Sequence, residues 1–448
     1  MNLSSSWKRP SRPPIQSHCR NSFSWAQTLR ALCISGRLFE AVELLCRRRS
    51  SQDHRTYALL LQETVNRKEA KLGKRIHAHI ITTGFTPNEH LRTKLLIFYA
   101  KIGELLVARH LFDRTPGAQR GIVSWNAMIS GYVRAGLERE GLNLYRSMRL
   151  VGLEQDQFTF VSVFNACAKL AMLEHGRRAH CLMIKRSVKA NVIVSTALMD
   201  MYLKCSNPHD GRQVFKSSFE RNVTMWTALI SGYGQHGYVT EVLELFDQMI
   251  KDGFRPNHVT FLAVLSACAH GGLIDEGWKY FYSMTKEYGI TLRGQHCSAI
   301  VDMLGRAGRL IEAYEFAKRL PCDRHSVIWG ALVGACRKHG NMELVKFAAK
   351  KFFELQPENA GKLVVLSNTF AACEMWKSVA DIHGMISLLG MKKDPAWSSI
   401  ELRGEVHTFL VGDKSHEQIA MIYEVSNALA RSLAQGAYAA DVEVNVFT

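Results

Sequence analysis

An all-α solenoid of stacked helical hairpins is the fold class this sequence predicts, and three observations predict it. One aligned position recurs at Ala26, Ala58, Thr93, Asn126, Val161, Thr196, Thr227, Leu262 and Ser298, at spacings of 31 to 36 residues. Such a period marks an array in which each repeat is one supersecondary unit. Every unit then reads as two apolar-faced segments of about 12 residues, a length typical of globular helices. Gly136, Gly237 and Gly308 fall at the turns, where a left-handed helix end is easiest for glycine. Finally, only 10 Pro occur in 448 residues, too few for a chain rich in linkers. One helical hairpin cannot bury its apolar face, so the hairpins must stack.

The units follow in order. VSWNAMISGYVRAG (123–136), VSTALMDMYLKCS (194–206), MWTALISGYGQHG (225–237) and CSAIVDMLGRAGR (297–309) are first helices. Their second helices are GLNLYRSM (141–148), GRQVFKSS (211–218), VLELFDQM (242–249) and AYEFAKRL (313–320). TFVSVFNACAKLAMLEHGRRAHCLMIK (159–185) and TFLAVLSACAHGGLIDEGWKYFYSM (260–284) are a second flavour of the same unit. Three slightly different units make a super-repeat, and nine units span about residues 22–326. At helical spacing, Trp125, Tyr132, Trp226 and Phe246 read as core ridges rather than a ligand cage.

Composition narrows the function classes. With 47% hydrophobic and 22% charged residues the chain is neither disordered nor low-complexity. The excess of 57 Lys and Arg over 40 Asp and Glu, a formal charge of +17, favours a polyanionic partner. The 11 Cys are scattered and include no C-x-x-C pair, which suits reduced, buried thiols rather than a disulfide framework. Lys8, Arg9, Arg12, Arg20, Arg30 and Arg37 precede the first acid, Glu40, in a Ser-rich leader. That is the composition of an organellar transit segment, assigned to 1–21; a plain basic tail is the alternative. No stretch free of Asp, Glu, Lys and Arg is longer than Pro256 to Ile274, which holds Asn257, His258 and His270, so no membrane span is expected.

On these residues the chain resembles the plant pentatricopeptide repeat proteins, in their alternating P, L and S arrangement. Residues 122–156 resemble a P motif, 157–191 an L motif and 192–222 an S motif, and the series restarts at 223–257. Residues 327–386 resemble two further, tetratricopeptide-like hairpins of the family's E region, assigned to 327–394. Residues 394–416 resemble the E-plus segment, which with its following helix and the tail occupies 395–448. The resemblance implies a right-handed α-α superhelix that binds single-stranded RNA. Helical repeats of this kind read one base each through two or three side chains. In the family the pair is one residue of the first helix and the last residue of the unit.

Carried over unit by unit, Asn126 with Asp156 implies a pyrimidine, uracil over cytosine. Thr196 with Asn222, and Thr227 with Asn257, imply adenine. Thr93 with Gly121 and Ser298 with Ser326 receive no base, Ala26 and Ala58 offer no hydrogen bond, and Val161 and Leu262 pack or sandwich bases. The implied partial target is 5′-pyrimidine, any base, A, A. Asn and Thr near helix starts also serve as caps or back-bonding residues, and three polar pairs in one register outweigh that alternative. Val123, Ile193 and Thr224 are wedges between bases or ordinary core.

Family members with a DYW domain carry a zinc deaminase, which needs an H-x-E and a C-x-x-C. None of the 18 His has Glu two residues later, His416–Glu417 is adjacent, and C-x-x-C does not occur. These residues are therefore not expected to catalyse deamination, and no cofactor, metal or small-molecule substrate is expected. The implied role is a site-recognition factor for C-to-U editing of organellar transcripts, recruiting a deaminase in trans through 327–416. The mitochondrion is favoured over the chloroplast. The alternatives are organellar RNA binding for splicing, stability or translation, or a tetratricopeptide-like protein scaffold.

Overall fold

The computed structural model describes residues 18–444, apart from 48–49, 118–119, 320–325, 356–359, 373, 389, 391–396, 403–404, 411–413 and 416. The proposed leader, except its last four residues, lies outside them. The chain divides into two compact units that meet between Thr291 and Leu292.

The first unit is an α-α solenoid of hairpins. Its helices are α1 (His18–Ile34), α2 (Leu38–Arg47), α3 (His54–Asn66), α4 (Ala70–Thr82), α5 (Glu89–Ile102) and α6 (Leu105–Arg114). There follow α7 (Ile122–Arg134), α8 (Glu138–Leu150), α9 (Gln157–Leu170), α10 (Leu173–Lys185) and α11 (Val192–Lys204). The unit ends with α12 (Pro208–Ser217), α13 (Val223–Gln235), α14 (Val239–Lys251), α15 (His258–Gly271) and α16 (Ile274–Lys286). Odd-numbered helices stack on one another, α5 on α7, α7 on α9 and α9 on α11, while each also packs on its own hairpin partner. Both faces of a first helix are thus covered, which explains its wealth of buried residues: α11 buries Val194, Leu198 and Met201 on one side and Met199 and Leu203 on the other. Second helices present one buried stripe, as in α14 with Val242, Leu245, Phe246 and Met249. The turn glycines behave as expected, with φ of 80° at Gly136 and 77° at Gly237. Trp125, Trp226 and Phe246 are buried as expected, and Tyr132 is half-buried.

The structure explains the super-repeat through three kinds of joint. Where a P-like unit meets the next, hydroxyls and carboxamides meet, as described below. Between the second and third units of the first two triplets a histidine bonds a tyrosine: His77 Nδ1 to the Tyr99 hydroxyl at 2.8 Å and His180 Nδ1 to the Tyr202 hydroxyl at 2.9 Å. Burial holds both imidazoles below the usual histidine range and, with Asp210 nearby, pushes the Tyr202 phenol up to about 12. Between the third unit and the next P-like unit an arginine covers a phenylalanine that packs edge-on against a tryptophan. Arg120, Phe112 and Trp125 do this once; Arg221, Phe215 and Trp226 do it again. The third units also have short second helices, α6 and α12, of 10 residues each.

The second unit holds α17 (Gly294–Arg306), α18 (Leu310–Arg319), α19 (Ser326–Lys338), α20 (Met342–Leu355), α21 (Ala360–Ala372) and α22 (Trp376–Leu388). A two-stranded antiparallel ribbon, β1 (Trp397–Leu402) and β2 (Glu405–Leu410), precedes α23 (Ile419–Val444). The ribbon departs from a purely helical expectation. Its physical reason is the two-residue Arg403–Gly404 link between segments rich in β-branched and aromatic residues.

Gly73 and Gly176 occupy the same place in two L-like units, yet an added Cβ would fall into the rigid Phe98 ring at the first and the flexible Met201 thioether at the second. Gly73→Ala should therefore cost about 1–3 kcal/mol, and Gly176→Ala clearly less. Urea denaturation of the two variants measures this, and equal losses contradict it.

Candidate nucleic-acid interface

The candidate readers share one structural register. Thr93, Asn126, Thr196 and Thr227 are each the fifth residue of α5, α7, α11 and α13, and Ser298 is the fifth of α17. Their partners Asp156, Asn222 and Asn257 are the N-caps of the following first helices, α9, α13 and α15. The capping alternative and the reading role therefore coincide in the same side chains. A cap accepts backbone N–H bonds through one oxygen only, so its other terminal atom remains available.

What remains differs from pair to pair. Asp156 Oδ1 accepts from Thr159 N at 2.9 Å and from Asn126 Nδ2 at 2.8 Å. Asn126 Oδ1 in turn accepts from the Thr159 hydroxyl at 2.7 Å. Asn126 is thus left with one amide hydrogen, and Asp156 with its second carboxylate oxygen. The pair presents a donor beside an acceptor.

Asn222 Oδ1 caps Met225 N at 2.8 Å, and Asn257 Oδ1 caps Val259 N and Thr260 N at 2.8 and 3.1 Å. Both keep Nδ2 as an outward donor. Thr196 and Thr227 give their hydroxyl hydrogens to Val192 O and Val223 O, at 2.6 and 2.7 Å, and keep lone pairs as acceptors. In these pairs the cap contributes the donor and the helix the acceptor. The polarity is inverted relative to Asn126–Asp156.

The remaining positions differ in kind. Asn191 caps α11 but spends its amide on Gln157 Oε1 at 2.9 Å, and its partner slot holds Val161. Asp53 caps α3 while both its oxygens are bonded by Arg30, at 2.9 and 2.7 Å, beside Ala58 and Ala26 in the apolar register. Burial alone would push the Asp53 carboxyl up; the Thr56 amide and hydroxyl and the Arg30 guanidinium outweigh it and hold it below the usual range. Thr93 bonds the Ser124 hydroxyl at 3.2 Å, and Gly121 caps α7 with no side chain. Ser298 donates to Val327 O at 3.1 Å, and Ser326 is buried.

The second residue of each first helix resolves the wedge alternative. Val123 and Ile193 are 54% and 63% exposed, and Thr224 is exposed too, so none belongs to the core. Phe158 and Val259 hold the same position, exposed at 73% and 42%, and sequence reasoning missed both. The signal was the register itself: Val123, Phe158, Ile193 and Val259 each stand three residues before a member of the aligned column, at Asn126, Val161, Thr196 and Leu262. Among the described residues no helix is long and apolar enough to cross a membrane, and no group of three or more His, Cys, Asp or Glu could hold a metal ion.

Residues 120–169 and 221–270 match the PPR repeat family, 259–288 match the PPR repeat, and 339–401 match the E motif. A pentatricopeptide repeat-containing protein of Arabidopsis thaliana is 53% identical over 398 residues, covering 89% of this chain and 79% of its own length. A chloroplastic and a mitochondrial protein of the same description and organism are 38% and 36% identical over 83% and 92% of this chain. The chain spans 46% and 65% of those two relatives. The crystal structure of the pentatricopeptide repeat protein PPR10 in complex with an 18-nt psaJ RNA element superposes with a TM-score of 0.62, at 17% identity, over 84% of this chain and 56% of PPR10.

Because Asn222 closes α13, Asn222→Ala should cost about 1 kcal/mol of stability, whereas Asn222→Asp should keep the cap. Urea midpoints of the two variants decide this; equal losses would mean that Asn222 does not cap in solution.

Proposed function

Because the chain belongs to the pentatricopeptide repeat family, we propose that its first-helix column reads single-stranded RNA, one base per unit, at sites in organellar transcripts. The observation that carries the reading is the inversion of open hydrogen-bonding atoms between the Asn126–Asp156 pair and the two Thr–Asn pairs. Uracil presents an N3–H donor beside carbonyl acceptors. It fits a carboxylate acceptor next to an amide donor, whereas cytosine brings an N3 lone pair against the carboxylate. Adenine presents an N6–H donor beside the N1 acceptor, which matches a threonine lone pair and an asparagine N–H. Guanine and uracil would place an N–H against that asparagine donor. Cytosine shares adenine's two-atom pattern, and the family resemblance favours the purine.

The L-like unit at 157–191 offers Val161 and an asparagine already bonded to Gln157, so it selects no base. The run from 122 to 257 then reads pyrimidine, any, A, A. Thr93 and Ser298 engage their neighbours and contribute contact without a defined preference.

The fuller role we propose is site recognition for C-to-U editing, with a deaminase recruited in trans through 327–416. Support comes from the E-motif match at 339–401 and from exposed apolar side chains there, Phe347, Val365, Trp376 and Leu388, which suit a protein partner. The sequence carries no H-x-E and no C-x-x-C, so the chemistry is assigned to that partner. The basic leader favours an organelle, and of the two the mitochondrion, although relatives of both names occur.

Two measurements test these readings. Asn126→Thr with Asp156→Asn should move preference from uracil to adenine at one RNA position, by about ten-fold or more on the scale of one bidentate base contact. Unchanged preference in a gel shift with otherwise identical RNAs would refute base reading at that unit. Organellar RNA from cells lacking this protein should lose editing at one or a few cytidines. Normal editing with altered splicing or transcript ends would replace the editing role by RNA processing.

A further inference from the structure

The hydroxyl at the third position of a first helix belongs to the network around the reader of the preceding unit. Thr159 is fully buried, so it cannot touch RNA. Its hydroxyl accepts from Asp156 N at 3.3 Å and donates to Asn126 Oδ1 at 2.7 Å. With the Asn126 amide nitrogen bonded to Asp156, the carboxamide is held with its oxygen inward and one N–H outward. Thr260 stands in the same place, fully buried, 2.8 Å from Thr227 Oγ1 and 3.2 Å from Asn257 Oδ1. Ser124 repeats the contact with Thr93 at 3.2 Å. Where the third position is apolar, at Val194 and Met225, no such bond forms. There the preceding fifth residue is Val161, or Thr196, whose hydroxyl turns to its own helix.

We propose that Thr159 is a positioning residue for base selection: it fixes which end of the Asn126 carboxamide faces the RNA, and so sets the polarity of the uracil-reading edge without contacting the base. This rests on the reading of Asn126–Asp156 given above. The physical argument is one of satisfied groups. With valine at 159, the Asn126 oxygen would sit buried without a donor, and an unpaired buried acceptor is costly enough to make the carboxamide turn or move out. The α9 cap survives the change, because Asp156 accepts from the backbone N–H of residue 159 and not from its side chain alone.

The test measures binding of full-length protein to four RNAs that differ only at the base facing Asn126. Thr159→Val should lower the preference for uracil over cytosine and adenine by about 3- to 10-fold, the scale of one lost hydrogen bond. Thr159→Ser, which keeps the hydroxyl, should restore it. Helical content by circular dichroism accompanies each measurement. Weaker binding to all four RNAs by the same factor would show a structural role only and overturn the proposal. So would an unchanged preference in Thr159→Val. If the unaltered protein shows no preference at that position, the reading of Asn126 fails and this inference falls with it. If the Asn126→Thr, Asp156→Asn exchange moves the preference while Thr159→Val does not, only this inference fails.

Discussion

The N-cap of each first helix is the interaction on which the rest of the structure depends. A stacked helix start has free backbone N–H groups, and in a packed array few waters can satisfy them. Asp53, Asn88, Asp156, Asn191, Asn222 and Asn257 each accept at least one of these bonds. Because capping uses one oxygen of a two-ended side chain, the other end is handed to the neighbouring unit or to the outside. Asp53 and Asn191 spend it on Arg30 and Gln157, and Asp156, Asn222 and Asn257 keep it. On the proposed reading, helix stability and ligand selectivity meet in single side chains. Asn and Asp cap about equally well, so exchanging them changes the outward atom from donor to acceptor at little cost to the helix.

The capping constraint also explains why the units are not identical. A solenoid needs every interface to be satisfied, but three chemistries satisfy it here in rotation. Hydrogen-bonded carboxamides and hydroxyls occupy one joint, a buried histidine–tyrosine pair the next, and an arginine-covered aromatic pair the third. The first joint, and the third where Thr196 meets the cap Asn222, leave ordered polar atoms in the candidate reading register. At the second joint the column holds Val161, and the Asn191 amide is already bonded to Gln157. On the proposed reading, the period of three in packing becomes a period of three in base discrimination.

The fold was largely legible because its cause is periodic. Recurrence of one position from Ala58 to Ser298 located the fifth residue of every first helix, and Gly136 and Gly237 marked the turns through a conformation that glycine adopts without strain. The caps were legible as residue types, but not the fate of their second atoms. Asn191 and Asn222 look alike in sequence, and only the side chain of Gln157, 34 residues before Asn191, tells them apart. Thr159 escaped for the same reason: its bond crosses 33 residues to a side chain in another unit. Phe158 and Val259 escaped too, because one-sided burial at a helix start follows from stacking geometry and not from local pattern. The β1–β2 ribbon was lost in a helical context, although its alternation and Arg403–Gly404 link were visible.

Energy sets how much such a column can select. A good bidentate base contact discriminates by about 1–3 kcal/mol, so three polar pairs supply about 3–9 kcal/mol against a wholly mismatched RNA. They also act only on bases already splayed out, which the exposed Val123, Phe158, Ile193 and Val259 between readers would favour by offering apolar surface to base faces. The formal excess of 17 positive charges attracts any RNA alike and weakens with salt, whereas the readers' hydrogen bonds do not release counterions. On the proposed reading, charge decides whether RNA is held, and the atoms left open by the caps decide which RNA. Lowering the first at higher ionic strength leaves the second intact. A strongly basic chain can in this way tolerate an unselective unit such as 157–191 within its reading column, because holding and choosing are carried by different groups.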